Sequence, residues 1–328
     1  MDPSLKTKLL KQKYRLVGEH GAVKVCHWMR QKLFYNKACY KENFYGISCH
    51  RCLQLTPALN SCTQACQFCW RYQGFDSFDF STGEVTRPVE FLDRAIEQHR
   101  KLINGFKGDP RCSQERFREA LNPNQVAISL SGEPLLYPYI NELIAECRRR
   151  GMSTFVVSNG TTPDVLENMT IFPTQLYITI AAPNKDVYNM LCRPVREDNW
   201  ELLLRTLKML PHLKKKTRTA IRHTLVDGLN IGGESGGDTV TDMNFLKQYA
   251  ELDKMAEPDF IEPKGYVFVG YSRKRLSISN MPSHKKISDF AQKLASLTGY
   301  QWAGEQEGSR VVVLKHPLSE LRIRPEQV

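Results

Sequence analysis

The stretch NSCTQACQFCW, residues 60–70, decides how this sequence is interpreted. It places Cys62, Cys66 and Cys69 within eight residues as C-x3-C-x2-C, and the next cysteine, Cys112, is far along the chain. Thiolates are soft ligands that select zinc or iron–sulfur clusters. A [4Fe–4S] cluster needs four ligands, so three cysteines leave one iron open to another molecule. A cluster with a free coordination position is therefore one interpretation of this spacing.

A structural zinc site is the alternative interpretation. Zinc usually closes its shell with four protein ligands, commonly two C-x2-C pairs. The sequences CHRC and CQFC supply two such pairs, Cys49, Cys52, Cys66 and Cys69. This arrangement gives no role to Cys26, Cys39 and Cys62. A zinc-stabilised RNA-binding protein is thus the non-enzymatic alternative.

Composition points to a basic intracellular protein. The chain has 328 residues, a formal charge of +11 and ten cysteines. A positive surface favours anionic partners such as nucleic acid, although a soluble basic protein without such a partner has the same charge. The polar N-terminus and the absence of a run of about 20 apolar residues predict a cytoplasmic protein with no membrane partner. Thiols stay reduced there, so the cysteines are interpreted as metal ligands rather than disulfides.

Short apolar runs alternate with amphipathic helical stretches from residue 53 onward. The predicted strands are 53–59, 125–130, 153–158, 175–180, 219–226 and 259–269. The predicted helices are 88–106, 139–150, 163–169, 199–210 and 242–252. Such alternation indicates parallel βαβ units. We expect an α/β fold, a partial (β/α)6 TIM barrel, whose chemistry lies at the carboxyl ends of the strands.

Three segments are expected along the chain. Residues 1–52 form an N-terminal helical extension that holds spaced cysteines, residues 53–281 the partial barrel, and residues 282–328 a C-terminal extension with one helix and short strands. The glycine-rich run 228–238 lacks the lysine of a phosphate-binding loop and is predicted to be a flexible connection.

The C-x3-C-x2-C motif resembles that of the radical S-adenosylmethionine (SAM) superfamily. In that superfamily the open iron binds the methionyl group of SAM, and an electron from the cluster cleaves SAM to a deoxyadenosyl radical. The resemblance implies that Phe68, before the last cysteine, packs near the adenine.

Two later loops strengthen this resemblance. SGEP, residues 131–134, is similar to the superfamily's GGE element, which implies that Ser131, Gly132 and Glu133 hold the methionyl amino group. VSNGT, residues 157–161, resembles the strand end that meets the ribose, with Ser158 and Asn159 as candidates. An ordinary Asn-Gly turn is the alternative there.

A second set of cysteines narrows the resemblance to one family. Cys26, Cys39 and Cys52 lie at equal intervals of thirteen residues. Together with CYKENFYGISCHRCLQ, CQFCWR, SLSGEPLLYP and IEPKGYVFVGYSRKRL, this arrangement resembles the tRNA 4-demethylwyosine synthases, in the short form without a flavodoxin-like domain. The resemblance covers nearly the whole chain.

The family resemblance implies a specific reaction. A second [4Fe–4S] cluster would be held by Cys26, Cys39 and Cys52. The substrates would be pyruvate and a phenylalanine tRNA with N1-methylguanosine next to the anticodon. Hydrogen abstraction from the methyl group, addition to pyruvate, loss of its carboxylate and ring closure would give tricyclic 4-demethylwyosine, with electrons from a separate flavodoxin- or ferredoxin-type donor. A methylthiotransferase-like tRNA modifier is the enzymatic alternative.

Two residues near the second set have competing interpretations. The resemblance implies that Lys41 forms a Schiff base with pyruvate, and Lys37 is its nearest competitor. A nearby metal centre would favour the neutral amine that this chemistry needs. Cys49 belongs to neither triplet, and an exchange of roles between Cys49 and Cys52 remains open.

Basic residues are concentrated in three segments, 6–15, 212–222 and 271–276. Arg273, Lys274 and Arg275 follow the sixth predicted strand and so are expected at the active face as RNA contacts. The run 214–216 precedes a strand and is interpreted as ordinary surface. No DNA partner is expected.

Overall fold

The computed structural model describes residues 3–73, 77–232 and 241–328, together with the backbone of 234–235 and 238–239. Part of the glycine-rich run 228–238 therefore lies outside the described residues.

The strands are β1 Arg15–Val17, β2 Gly21–Val23, β3 Cys52–Thr56, β4 Gln125–Ile128, β5 Ser153–Ser158, β6 Gln175–Ile180, β7 Arg218–Leu225, β8 Glu234–Ser235, β9 Asp238–Thr239, β10 Phe260–Gly265, β11 Gln301–Gln306 and β12 Val311–Lys315. The α-helices are α1 Pro3–Lys11, α2 His27–Tyr35, α3 Tyr40–Tyr45, α4 Pro88–Ile103, α5 Gln114–Ala120, α6 Ile140–Arg149, α7 Pro163–Glu167, α8 Lys185–Cys192, α9 Asn199–Leu213, α10 Met243–Ala256 and α11 His284–Thr298.

One open sheet organises the fold. Within the described residues, ten strands follow the order β1-β2-β3-β4-β5-β6-β7-β10-β12-β11. The central six, from β3 to β10, are all parallel. They coincide with the six predicted strands and confirm the partial (β/α)6 barrel. Antiparallel strands extend the sheet at both ends. At one end β2 pairs with β3 and β1 pairs with β2. At the other end β12 pairs with β10 and β11 pairs with β12.

Local sequence explains where several helices begin and end. Pro88 occupies the first turn of α4, where a missing backbone N–H costs nothing. The Asp242 side chain accepts from the amides of Asn244 and Phe245 and so caps α10. α11 ends at Gly299, whose φ of 78° is the left-handed conformation that glycine adopts readily.

The two faces of the sheet bury different clusters, because successive residues of a strand point to opposite sides. On the outer face, residues such as Val156, Ile178 and Ile261 pack under the surrounding helices in the largest core. On the inner face, Phe155, Tyr177 and other strand residues pack with α3 and its flanks. The short helix α3 thus fills part of the barrel interior.

Several elements differ from the sequence expectations. α5 and α8 were not predicted, and neither were the edge strands β1 and β2, which are only three residues each. α2 and α3 separate the spaced cysteines of the N-terminal segment. Every described helix is too short or too polar to span a bilayer.

Candidate active site

The first cysteine triplet lies in the loop that follows the carboxyl end of β3. Cys62, Cys66 and Cys69 are all partly exposed, and their thiols interact electrostatically with one another. Burial raises the pKa of the Cys62 thiol, and the neighbouring thiol of Cys66 and carboxylate of Glu133 raise it further. Three thiols that disfavour one another's charge are suited to a shared cationic partner such as an iron–sulfur cluster.

The loop after β10 fixes the cysteine loop through main-chain carbonyls. The Arg275 guanidinium donates from Nε to the Gln67 carbonyl at 3.0 Å and from Nη2 to the Cys69 carbonyl. The Tyr271 amide donates to the Trp70 carbonyl at 3.0 Å. Arg275 was predicted as an RNA contact, and in the structure its Nε and Nη2 donate to these two carbonyls. Three carbonyls of the cysteine loop are therefore bound by one neighbouring segment.

Gly132 lies where the loop after β4 meets the loop after β3. Its φ is 70°, and a Cβ atom built on it would lie 1.7 Å from the carbonyl oxygen of Ala58 and 2.5 Å from that of Ser61. The next residue, Glu133, donates its amide to the Ser61 carbonyl at 2.7 Å. Only glycine permits so close an approach of the two backbones. The SGEP loop is thus packed directly against the start of the cysteine loop.

The Glu133 side chain connects the loops after β4 and β5. It is 1% exposed, and its carboxylate accepts from the amides of Asn159 at 2.8 Å and Leu135 at 3.2 Å. Burial raises the pKa of Glu133 to about 7, and these amides oppose the rise. Burial disfavours the charged form of this carboxylate, and a cationic amine placed beside it would stabilise that charged form.

Asn159 points toward the cysteine loop. Its Nδ2 lies 2.8 Å from Thr63 Oγ1 and 3.8 Å from Cys62 Sγ. Ser158 is buried, and its hydroxyl accepts from the Gly160 amide at 3.0 Å. Asn159 is therefore the member of this predicted pair that reaches the thiols, while Ser158 shapes the turn.

Two further predicted residues flank the loop. Phe68 is partly buried and packs against the main core and a smaller cluster containing Tyr266. Ser131 donates its hydroxyl to the Leu59 carbonyl at 3.2 Å, which leaves it at the base of the cysteine loop.

The second triplet is assembled from three elements. Cys26 precedes α2, Cys39 precedes α3, and Cys52 is the first residue of β3. Burial raises the pKa of Cys52, and the thiols of Cys26 and Cys39 raise it further. These cysteines, distant in sequence, therefore converge beside the inner face of the sheet.

Two other cysteines adjoin the triplets. The Cys49 thiol hydrogen-bonds with Cys39, which lowers the pKa of Cys39. Cys192, at the end of α8, hydrogen-bonds with Cys66. Of the four cysteines in the alternative zinc site, Cys49 and Cys52 therefore lie with the second triplet, whereas Cys66 and Cys69 belong to the first. Among the described residues, no three His, Cys, Asp or Glu side chains are arranged to hold a single metal ion.

Lys41 lies inside the barrel between the second triplet and the sheet. Its Nζ is 4.5 Å from the ring centroids of both Phe155 and Tyr177. Burial lowers the pKa of Lys41 to about 8, the nearby Arg222 lowers it further, and Glu262 and two cysteine thiols oppose the fall. Lys37, by contrast, is exposed.

A buried carboxylate lies beneath this lysine. Glu262 on β10 is fully buried and accepts from the hydroxyls of Tyr40 at 2.9 Å and Tyr45 at 2.7 Å and from Arg222 at 3.0 Å. Arg222 also donates to the Tyr40 hydroxyl at 2.7 Å. Sequence reasoning missed this network, since its members come from α3, β7 and β10.

The remaining predicted RNA contacts are on the surface. Arg273 and Lys274 are exposed, and they lie over the rings of Phe268 at 5.3 Å and Tyr271 at 5.4 Å. Their loop, residues 270–274, is the one that adjoins the cysteine loop.

Residues 57–233 match the radical SAM superfamily, and residues 255–316 match the family described as wyosine base formation. The chain is 45% identical to the S-adenosyl-L-methionine-dependent tRNA 4-demethylwyosine synthase of Pyrococcus horikoshii over 93% of this chain and 86% of that protein. It is 41% identical to the synthase of Methanocaldococcus jannaschii over 94% of each chain. The chain belongs to the tRNA 4-demethylwyosine synthases.

Solved structures agree with this family. A structure of TYW1 with a lysine–pyruvate adduct bound is 38% identical, has a TM-score of 0.85 and covers 99% of each chain. A crystal structure of archaeal TYW1 is 35% identical with a TM-score of 0.78, again over 99% of each chain.

Family membership establishes an enzyme of wyosine biosynthesis. The radical SAM superfamily implies SAM and a [4Fe–4S] cluster, and the synthase name implies a tRNA substrate. The first cysteine loop fits such a cluster, because its three thiols form one group and the backbone crossing at Gly132 brings the SGEP loop beside them.

Proposed function

We propose that the protein condenses pyruvate with N1-methylguanosine in phenylalanine tRNA and releases the pyruvate carboxylate, forming 4-demethylwyosine. The observation that supports this most directly is Lys41, a partly buried lysine beside a second cysteine group inside the barrel. The TYW1 structure with a lysine–pyruvate adduct supports the same chemistry. A separate flavodoxin- or ferredoxin-type protein would supply the electrons.

The site residues divide into two groups. Cys62, Cys66 and Cys69 would hold the cluster that binds SAM, with Glu133 near the methionyl amine. When bound, this cluster and SAM supply the radical that takes hydrogen from the N1-methyl group. Phe68, Ser131, Gly132, Ser158 and Asn159 would shape the SAM pocket.

The second group would hold pyruvate. Cys26, Cys39 and Cys52 would bind a second [4Fe–4S] cluster, and Lys41 would attack the pyruvate carbonyl to form a Schiff base. The rings of Phe155 and Tyr177 limit the positions open to the Lys41 amine.

Borohydride trapping tests the role of Lys41. Reduction of the holoenzyme with labelled pyruvate should fix the label on the peptide that contains Lys41. Lys41→Gln should abolish both trapping and tRNA product while deoxyadenosine formation stays detectable. Lys37→Gln is the matched control and should retain both. Full product formation by Lys41→Gln would refute the assignment.

A further inference from the structure

An exposed tryptophan adjoins the cysteine loop. Trp70 directly follows Cys69 and is 41% exposed, although its main chain is fixed by the Tyr271 amide. Two cations flank its indole ring: Arg71 Cζ is 3.0 Å from the ring centroid, and Lys24 Nζ is 5.4 Å from it. A large aromatic surface is thus held open to solvent beside positive charge.

Arg71 is a buried cation with one unused hydrogen-bond donor among the described residues. Arg71 is 5% exposed, and its guanidinium donates to the Tyr14 hydroxyl. Its buried Nε has no hydrogen-bond partner among the described residues. Lys24 lies 4.8 Å from the same Tyr14 ring, so both cations contact aromatic rings. A buried donor without a partner beside a second cation is suited to an anionic ligand.

The same pattern continues toward the loop after β10. The rings of Tyr72 and Tyr271 are 5.0 Å apart, Lys8 Nζ lies 4.5 Å from the Tyr72 ring, and Lys274 lies over Tyr271. Aromatic and cationic side chains therefore alternate along a surface that begins at Trp70. Proteins bind single-stranded RNA with this combination, since bases stack on aromatic rings and cations contact phosphates.

We propose that Trp70 stacks against an unpaired nucleotide of the tRNA anticodon loop and that Lys24 and Arg71 bind its phosphate. This inference rests on the proposed function. The nucleotide would be a neighbour of the methylated guanosine, because Trp70 lies at the surface whereas the target base must reach the partly buried cysteine groups. Trp70 would thereby fix the loop while the target base enters the barrel.

Binding of an anticodon stem-loop RNA containing N1-methylguanosine to the reconstituted holoenzyme tests the proposal. Trp70→Ala should raise Kd by about five- to 160-fold, the usual range for loss of one stacked base. Trp70→Phe should restore most of the affinity, because a phenyl ring still stacks. Trp302→Ala is the matched control, since Trp302 is also 40% exposed but lies on the edge strand β11. Iron content and the unfolding midpoint establish that each variant is folded.

The cations have a separate readout. Lys24→Gln should reduce the salt dependence of binding by about one phosphate contact, whereas Lys293→Gln, on α11, should leave it unchanged. Unchanged RNA affinity in Trp70→Ala, or equal weakening by Trp302→Ala, would overturn the stacking role. If Trp70→Ala binds normally while the wild-type enzyme still forms product from pyruvate, only this inference fails. If the wild-type enzyme neither binds nor modifies the RNA, both fail.

Discussion

At the scale of single residues, Gly132 shows how a close backbone contact joins two loops of the candidate active site. A side chain there would enter the space occupied by the carbonyls of Ala58 and Ser61. The conformation itself is also unfavourable for other residues, since φ is positive. The two effects can be separated, because Gly151 has a similar φ of 66° but nothing within 4 Å of a built Cβ.

Gly132→Ala should therefore destabilise the protein more than Gly151→Ala does. Gly151→Ala should cost about 1 kcal/mol for conformation alone, and Gly132→Ala should cost more because two backbones must separate. Chemical denaturation of both variants measures the difference. SAM binding should also weaken in Gly132→Ala alone. Equal losses of stability would show that the close approach is not limiting.

Whether Cys49 or Cys52 is a ligand of the proposed second cluster is also decided at the scale of single residues. The Cys52 thiol interacts electrostatically with the thiols of both Cys26 and Cys39. The Cys49 thiol hydrogen-bonds with Cys39, and the backbone amide of Cys49 donates to the Glu42 carboxylate at 2.8 Å. We expect about eight irons per wild-type chain, about four in Cys52→Ala, and about eight in Cys49→Ala. Iron analysis after anaerobic reconstitution distinguishes these outcomes. The reverse pattern would exchange the two roles.

At the scale of elements, a buried carboxylate is among the groups that join α3 to the barrel. Glu262 receives hydrogen bonds from both ends of α3, and Arg222 joins β7 to the same group. Although burial alone would raise its pKa, Arg222 and Lys41 hold the pKa of Glu262 below its usual value. The charged carboxylate is therefore the form that stabilises the fold.

Glu262→Gln should destabilise the protein by about 3–5 kcal/mol, since it leaves Arg222 in a buried site without its counter-charge. Because the folded-state pKa is depressed, the contribution of Glu262 is present above the usual value of 4.5 and is lost as the pH falls through the folded-state pKa. The stability difference between wild type and variant should thus shrink in acid. Urea unfolding at several pH values measures this.

The control for that variant is Glu201→Gln. Glu201 pairs with Lys185 at 2.6 Å on the surface, where ion pairs contribute little. Its unfolding curve should match the wild type at every pH. A loss as large as that of Glu262→Gln would mean that charge, rather than burial, decides the effect.

The loop after β10 is a second element with a separable role. Arg275→Ala should remove two donors from the carbonyls of Gln67 and Cys69 and speed amide exchange in the cysteine loop. Arg273→Ala, which changes an exposed side chain, should lower RNA affinity without changing that exchange. Hydrogen–deuterium exchange of apo protein compares them. Wild-type exchange rates in Arg275→Ala would show that these two hydrogen bonds do not hold the cysteine loop.

At the scale of the whole molecule, sequence reasoning succeeded where periodicity is strong. All six parallel strands were predicted, together with the distinctive loops after β3, β4, β5 and β10, because buried parallel strands appear as continuous apolar runs. The edge strands β1 and β2 were not predicted, since three residues are too few to show the two-residue alternation of a strand. α8 was missed as well, although Asn184 caps its start through the Val187 amide.

The site was predicted unevenly for a related reason. Motifs of adjacent residues, such as the cysteine loop and SGEP, are visible in the sequence. The Glu262 network and the contact of Arg275 with the cysteine loop form only when distant segments meet, so no local sequence pattern predicts them. The role predicted for Lys41 rests on family resemblance, and the position of its amine near the rings of Phe155 and Tyr177 is seen only in the fold.

The construction of the two cysteine groups bears on when they mature during synthesis. Cys62, Cys66 and Cys69 belong to one short loop, which leaves the ribosome as a unit. The other group depends on α3, and α3 is fastened by Glu262, more than two hundred residues downstream of Tyr40. The first group also has a distant support, because its loop is held by Tyr271 and by Arg275, which lies 206 residues after Cys69. We therefore expect neither group to reach its final geometry, and hence to hold iron stably, before most of the polypeptide has emerged.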